Sequence, residues 1–167
     1  VDQNEKWRPG AMDRILDLYA ELTRAQVGTD LVIWPETAIP AFYDRVASEH
    51  AEPLAAEVAE WGGELLVGAP YRDARGRYYN ALIHPGTGQV YRKRHLVPFG
   101  EYLPFEGQLR GLVEFFEVPM SDFSAGPAGQ SPMGAADLEL GVAICYEGAF
   151  PGLLRRQLPT AGVLVNV

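Results

Sequence analysis

Cys145 is the single cysteine of the chain, and it stands in Ile144-Cys145-Tyr146-Glu147, just past the apolar run Leu140-Gly141-Val142-Ala143-Ile144. A thiol at the C-terminal end of a strand, with Phe150-Pro151 opening a helix behind it, lies near backbone N–H groups that favour a thiolate and an oxyanion. That makes it a candidate nucleophile, although a lone cysteine beside a strand also reads as an inert small core residue. Glu36 follows another such run, Leu31-Val32-Ile33-Trp34-Pro35. A carboxylate emerging there can take a proton from a thiol and return it to a leaving group; taken alone, it is a surface glutamate. Lys93, in Arg92-Lys93-Arg94-His95, is either part of a solvated edge or an ammonium aimed at the same rim to neutralise a tetrahedral oxyanion. His95 offers a rival arrangement, because a Cys/His pair is the commoner way to activate a thiol. The flanks of Cys145 match no papain-like or caspase-like pattern, and the chain has no G-x-S-x-G elbow and no phosphate-binding glycine loop.

The elements that must position these groups follow from periodicity. Met12, Ile15, Leu16, Tyr19 and Leu22 have helical spacing between Pro9 and Gln26. Gly28 breaks that pattern, and Leu31 to Trp34 reads as a strand covered on both faces. A second helix over Glu52 to Trp61 stops at Gly62-Gly63 before a strand at Leu65 to Gly68. Tyr78 to His84 and Gln89 to Arg92 flank Pro85-Gly86-Thr87-Gly88 as a hairpin. A strand at Leu138 to Ile144, a helix from Pro151 to Leu158 and a last strand at Val163 complete a βαβ order. The expected class is therefore α/β with a mixed sheet. If the strands before Glu36 and Cys145 belong to one parallel sheet, both residues face one rim. Pro98 to Asp137 reads as a long excursion, with Leu109, Leu112, Val113 and Phe116 at helical spacing and a Gly/Pro/Ser-rich stretch from Ser124 to Gly134.

Composition bounds the function. The chain has 167 residues, 47% apolar and 22% charged, enough for one domain with a real core. A net charge of −8 gives no attraction for a phosphate polymer, so nucleic acid is not an expected partner. One cysteine excludes an internal disulfide, and His50, His84 and His95 have no zinc spacing, so no metal is expected. No run approaches the roughly 18 apolar residues of a membrane span, and the N-terminus has no signal-peptide core. The chain starts without methionine and stops in the strand-like Val163-Leu164-Val165-Asn166-Val167, which suggests a piece of a longer protein.

Glu36, Lys93 and Cys145, in that order and each at the end of its own strand, resemble the nitrilase superfamily. The resemblance implies an α-β-β-α sandwich, here 1–167 as a single domain incomplete at both ends, with no cofactor. It also implies glutamate as general base, lysine steadying the oxyanion and cysteine carrying a covalent acyl group. Four flanking segments narrow it: Trp34-Pro35-Glu36-Thr37-Ala38-Ile39-Pro40, Lys93 through Val97-Pro98-Phe99-Gly100-Glu101-Tyr102, Pro119-Met120-Ser121-Asp122-Phe123, and Ile144-Cys145-Tyr146-Glu147. These are similar to the apolipoprotein N-acyltransferase family.

That narrower likeness implies a phospholipid acyl donor, a Cys145 thioester, and the α-amine of a diacylglyceryl-cysteine lipoprotein as acceptor. By position, Glu101 and Glu147 would orient Lys93 and the substrate amine, the Tyr146 N–H would help hold the oxyanion, and Trp7 would shape the pocket. Leu103-Pro104-Phe105 and Leu109 to Phe123 would form an apolar lid that keeps water from the thioester. The Arg92 to His95 cluster would touch lipid phosphate. The family also implies membrane helices on both sides of this segment, in a bacterial plasma membrane with the catalytic domain on the periplasmic side. Two alternatives remain open on the sequence: a soluble amidase using the same triad with water as acceptor, and a binding module with no activity.

Overall fold

In the computed structural model the described residues are 10–98, 100–102 and 123–167. Trp7 and the lid segments 103–105 and 109–122 lie outside them. Helix α1 (Ala11–Arg24) leads into β1 (Leu31–Ile33), which ends where Trp34-Pro35 removes the next ladder donor. A short α2 (Tyr43–Val46) continues through a π turn (Ala47–Ala51) into α3 (Glu52–Glu60). Then come β2 (Glu64–Arg72), β3 (Tyr78–Ile83) and β4 (Val90–Arg92). The chain continues with β5 (Met133–Ala135), β6 (Leu138–Ala143), a 3₁₀ turn (Cys145–Ala149), α4 (Pro151–Gln157) and β7 (Val163–Asn166). No described helix is long and apolar enough to cross a membrane.

The strands form two sheets. One has the order β1-β2-β3-β4, with β1 parallel to β2 and the rest antiparallel; the other has the order β5-β6-β7, antiparallel and then parallel. The one-sheet placement of Glu36 and Cys145 is therefore corrected, because β1 and β6 lie in different sheets. They meet because the sheets stack. Period-2 alternation along β2 sends Leu65, Val67 and Ala69 toward Leu16, Leu54 and Val58 of the helices. It sends Leu66, with Leu82 and Tyr91, against Met133, Leu140, Val142 and Ile144 of the second sheet. On the far side, α4 is clamped to β6 by Gln157, whose amide bonds both backbone groups of Val142 at 2.9 Å. The layers are α-β-β-α.

Two elements differ from expectation. Strand β5 lies inside the stretch read as an irregular excursion. It joins β6 through Ala136-Asp137, both at positive φ (51° and 58°), the twist of a tight two-residue hairpin that alanine does not advertise. Strand β2 runs past Gly68 to Arg72, because β3 pairs with it along that whole length despite Pro70.

Candidate active site

Glu36 sits on a turn tied on both sides. The Trp34 N–H donates to the Leu66 carbonyl (2.9 Å), the Ala38 N–H to Pro35 (3.1 Å) and the Ile39 N–H to the Gly68 carbonyl (3.2 Å). Ala38 and Ile39 are buried, so the turn is anchored from below. Lys93 leaves β4 with its N–H on the Asn80 carbonyl and its own carbonyl accepting from Gly126, both 2.8 Å. Gly126 passes so close to the Arg92 backbone that a β-carbon there would collide with it. Cys145 follows β6 at φ 49°, a left-handed conformation that costs a non-glycine residue about 1–2 kcal/mol. Its N–H donates to the Val167 carbonyl at 2.6 Å, and the 3₁₀ turn starting at Cys145 leaves the thiol exposed.

The three strand ends converge. The Lys93 ammonium, 1% exposed, lies 3.0 Å from Glu36 Oε1 and 2.9 Å from Glu101 Oε2. Glu101 is braced in turn by the Val97 N–H at 2.8 Å. Burial works against the lysine charge, but the hydrogen bond to Glu101 and the charge of Glu36 outweigh it and raise the lysine pKa. The Cys145 thiol is also raised, first by burial and then by the charge of Glu36 and its oxygen as acceptor for the S–H; the Lys93 ammonium and the Tyr146 N–H pull it down. The thiol thus meets the Glu36 carboxylate and one backbone donor within the field of the Lys93 ammonium.

Other expected residues take different places. Glu147 has no exposed surface. Its oxygens accept from the Tyr91 hydroxyl (3.0 Å) and the N–H groups of Arg94 (2.7 Å), His95 (3.2 Å) and Ile144 (2.9 Å). It therefore staples the chain after Lys93 to the chain before Cys145, and the carboxylate that meets the lysine ammonium is Glu101. Tyr146 is exposed and stands edge-on to Phe150. The His95 ring stacks on Phe150 at 4.2 Å and is not among the groups acting on the thiol, so the Cys/His rival has no geometric support.

Two residues escaped the sequence reading. Asn80 on β3 donates from Nδ2 to both Glu36 and Glu101 at 2.7 Å, and Tyr91 on β4 reaches Glu147. Their only advance signal was a polar atom on a strand face otherwise filled by Leu82 and its neighbours. Beside the mouth is a cavity of about 550 Å³, lined by Leu96, Pro98, Tyr102, Phe123, Tyr146 and Phe150 together with Arg94 and His95.

The sequence profile of the carbon–nitrogen hydrolase family matches residues 3–167. Over its whole length the chain is 45% identical to an apolipoprotein N-acyltransferase of Methylococcus capsulatus and 37% identical to one of Nitrosomonas europaea. It spans 34% of the length of each. Among solved structures it resembles a carbon–nitrogen hydrolase from Helicobacter pylori G27 (TM-score 0.64, 21% identity, 95% of this chain and 55% of that one). It also resembles the C. elegans NitFhit protein (TM-score 0.67, 18% identity, 93% of this chain and 40% of that one). These structural likenesses concern the fold.

Proposed function

The chain belongs to the carbon–nitrogen hydrolase family, and from that premise we propose that it is the catalytic domain of an N-acyltransferase working through a thioester on Cys145. The acyl donor is a phospholipid, and the acceptor is the N-terminal diacylglyceryl-cysteine amine of a lipoprotein. Relatives at 37–45% identity are named apolipoprotein N-acyltransferases, which supports the reading. The observation that carries the reading is the Lys93 ammonium, held 3.0 Å from Glu36 beneath an exposed thiol whose proton Glu36 is placed to accept.

A raised thiol needs a base at the moment of attack, and that is the role of Glu36. The S–H proton passes to Glu36 as sulfur bonds to the ester carbonyl carbon, and the carbonyl oxygen becomes an oxyanion. Lys93 and the Tyr146 N–H stabilise that charge. Collapse breaks the ester C–O bond, Glu36 returns its proton to the departing alkoxide, and lysophospholipid leaves an acyl group on sulfur. The acceptor amine then gives a proton to Glu36 as nitrogen attacks the thioester. The second collapse breaks the C–S bond, restores the thiol and releases the amide. The aromatic cavity beside Tyr146 suits an acyl chain. In the full-length protein the domain would face the periplasm from the plasma membrane.

The test uses the full-length protein with a phospholipid bearing an isotope-labelled acyl chain and a diacylglyceryl-cysteinyl peptide. The label is expected in amide linkage at the peptide N-terminus and is lost in Cys145→Ala. Label released only as free fatty acid would identify a hydrolase and overturn the proposal.

A further inference from the structure

Asn80 lies in β3 on the sheet face it shares with Leu82, and its side chain is 4% exposed. Nδ2 donates to Oε1 of Glu36 and Oε1 of Glu101, each at 2.7 Å. The same two oxygens receive the Lys93 ammonium at 3.0 Å each. Two donors thus bridge two acceptors, yet only one donor carries a charge, so two carboxylates share one ammonium. Oδ1 of Asn80 is buried and accepts no hydrogen bond among the described residues. An orphaned buried carbonyl is a standing cost to the fold, which an aliphatic side chain at this position would avoid. The orientation of the amide is forced, because turned over it would set a carbonyl oxygen against two carboxylate oxygens with no proton between them.

We infer that Asn80 is a positioning residue of the acyl-transfer site, its amide holding Glu36 and Glu101 side by side around the single ammonium. The inference rests on the proposed role of Glu36 as base. Among the described residues the titratable groups that meet the amide are Glu36 after β1 and Glu101 in the turn after Lys93; Lys93 bonds the same two oxygens, and the Cys145 thiol of the second sheet bonds Glu36. Without the amide, one ammonium faces two crowded carboxylates and the cluster takes up a proton at higher pH. A protonated Glu36 cannot accept from the thiol. Loss of Asn80 therefore acts most at low pH, whereas loss of packing alone would act at every pH.

The test compares full-length wild type with Asn80→Leu, Asn80→Ser and Asn80→Asp across pH 5–8, by two readouts. The first is acyl-Cys145 formation from phospholipid, followed by intact mass. The second is alkylation of Cys145 by iodoacetamide, which needs no phospholipid. Asn80→Leu is expected to move the acid limb of acylation upward by about one pH unit and, over the same range, to speed alkylation, because a protonated Glu36 no longer helps hold the thiol up. The shifted limb means a roughly tenfold slower acylation on the acid side, with the KM for phospholipid unchanged. Asn80→Ser, which keeps one donor, falls between. Should Asn80→Leu fail to fold, the near-isosteric Asn80→Asp carries the same comparison, with a larger displacement from the added carboxylate. An equal loss at every pH, or a change in KM alone, overturns the inference. If the wild type takes no acyl chain, the proposed function falls while the alkylation rate still decides the role of Asn80.

Discussion

The carbonyl of Pro35 rests so close to the α-carbon of Gly68 that no β-carbon fits between them. The turn that carries Glu36 is thereby seated directly on β2, and its height above the sheet is set by a missing methyl group. Gly68→Ala is expected to lift that turn. Overpacking of this kind costs about 1–3 kcal/mol, and a displaced base slows catalysis steeply. Acylation of Cys145 should fall by roughly tenfold or more, with a lower unfolding temperature. Gly129→Ala, outside any helix and with nothing near the added carbon, should change neither.

Glu147 ties the two strand ends that carry Lys93 and Cys145. Glutamine in its place keeps the shape but turns half of the acceptor into a donor, facing groups that already donate: Tyr91 and the N–H groups of Arg94, His95 and Ile144. The expected cost is about 2–4 kcal/mol in thermal or denaturant unfolding, accompanied by loss of acyl transfer. Unchanged unfolding with lost activity would instead place Glu147 in contact with substrate.

Glu36→Gln should separate two properties of the thiol that usually move together. Glu36 helps hold the Cys145 pKa up, while Lys93 pulls it down. Neutralising Glu36 therefore makes the thiolate form at lower pH, and alkylation by iodoacetamide near neutral pH speeds up. Acyl transfer nevertheless falls by about 10²–10⁴-fold, because the proton acceptor and donor is gone. A variant with a slower-reacting thiol would contradict this placement of the carboxylate.

Stability should decline on the alkaline side. The Tyr43 phenol is pushed up to about 12 by burial and by the charge of Glu52, and Tyr91 is also raised, first by burial and then by Glu147. Both folded-state values lie above the unfolded value of about 10. Their contribution is thus complete below about pH 10 and is lost as pH rises beyond it. The unfolding temperature should be level up to that point and then fall, and Tyr91→Phe should reduce the fall. Absorbance titration checks the same point, since these two phenols should ionise at higher pH than an exposed tyrosine.

Glu36 and Cys145 each close a short apolar run, a local signal, whereas Lys93 stands in a basic run, and only likeness to a family joined the three. Asn80 could not be read from the sequence, because its partners are chosen by the β3–β4 register and by the turns after β1 and β4, which bring Glu36 and Glu101 from 44 and 21 residues away. Strand β5 was hidden by Ala136, a residue that rarely adopts the left-handed backbone a two-residue turn demands. The two-sheet arrangement was legible only through family likeness. A strand buried on both faces, such as β2, has the same run of apolar residues whether helices or a second sheet cover it. Glu147 was assigned by family position alone, and its burial and its hydrogen bonds to Tyr91, Arg94, His95 and Ile144 are set by the fold, which local sequence does not reveal.

The most direct test of the convergence of sulfur, carboxylate and ammonium is intact mass of the full-length protein, quenched in acid after mixing with phospholipid in the absence of acceptor. The account predicts a gain of one fatty acyl chain on Cys145, removed by hydroxylamine as a thioester is, and lost in both Glu36→Gln and Lys93→Met. An acyl chain on another residue, or acylation of Cys145 at the wild-type rate in those two variants, would contradict it.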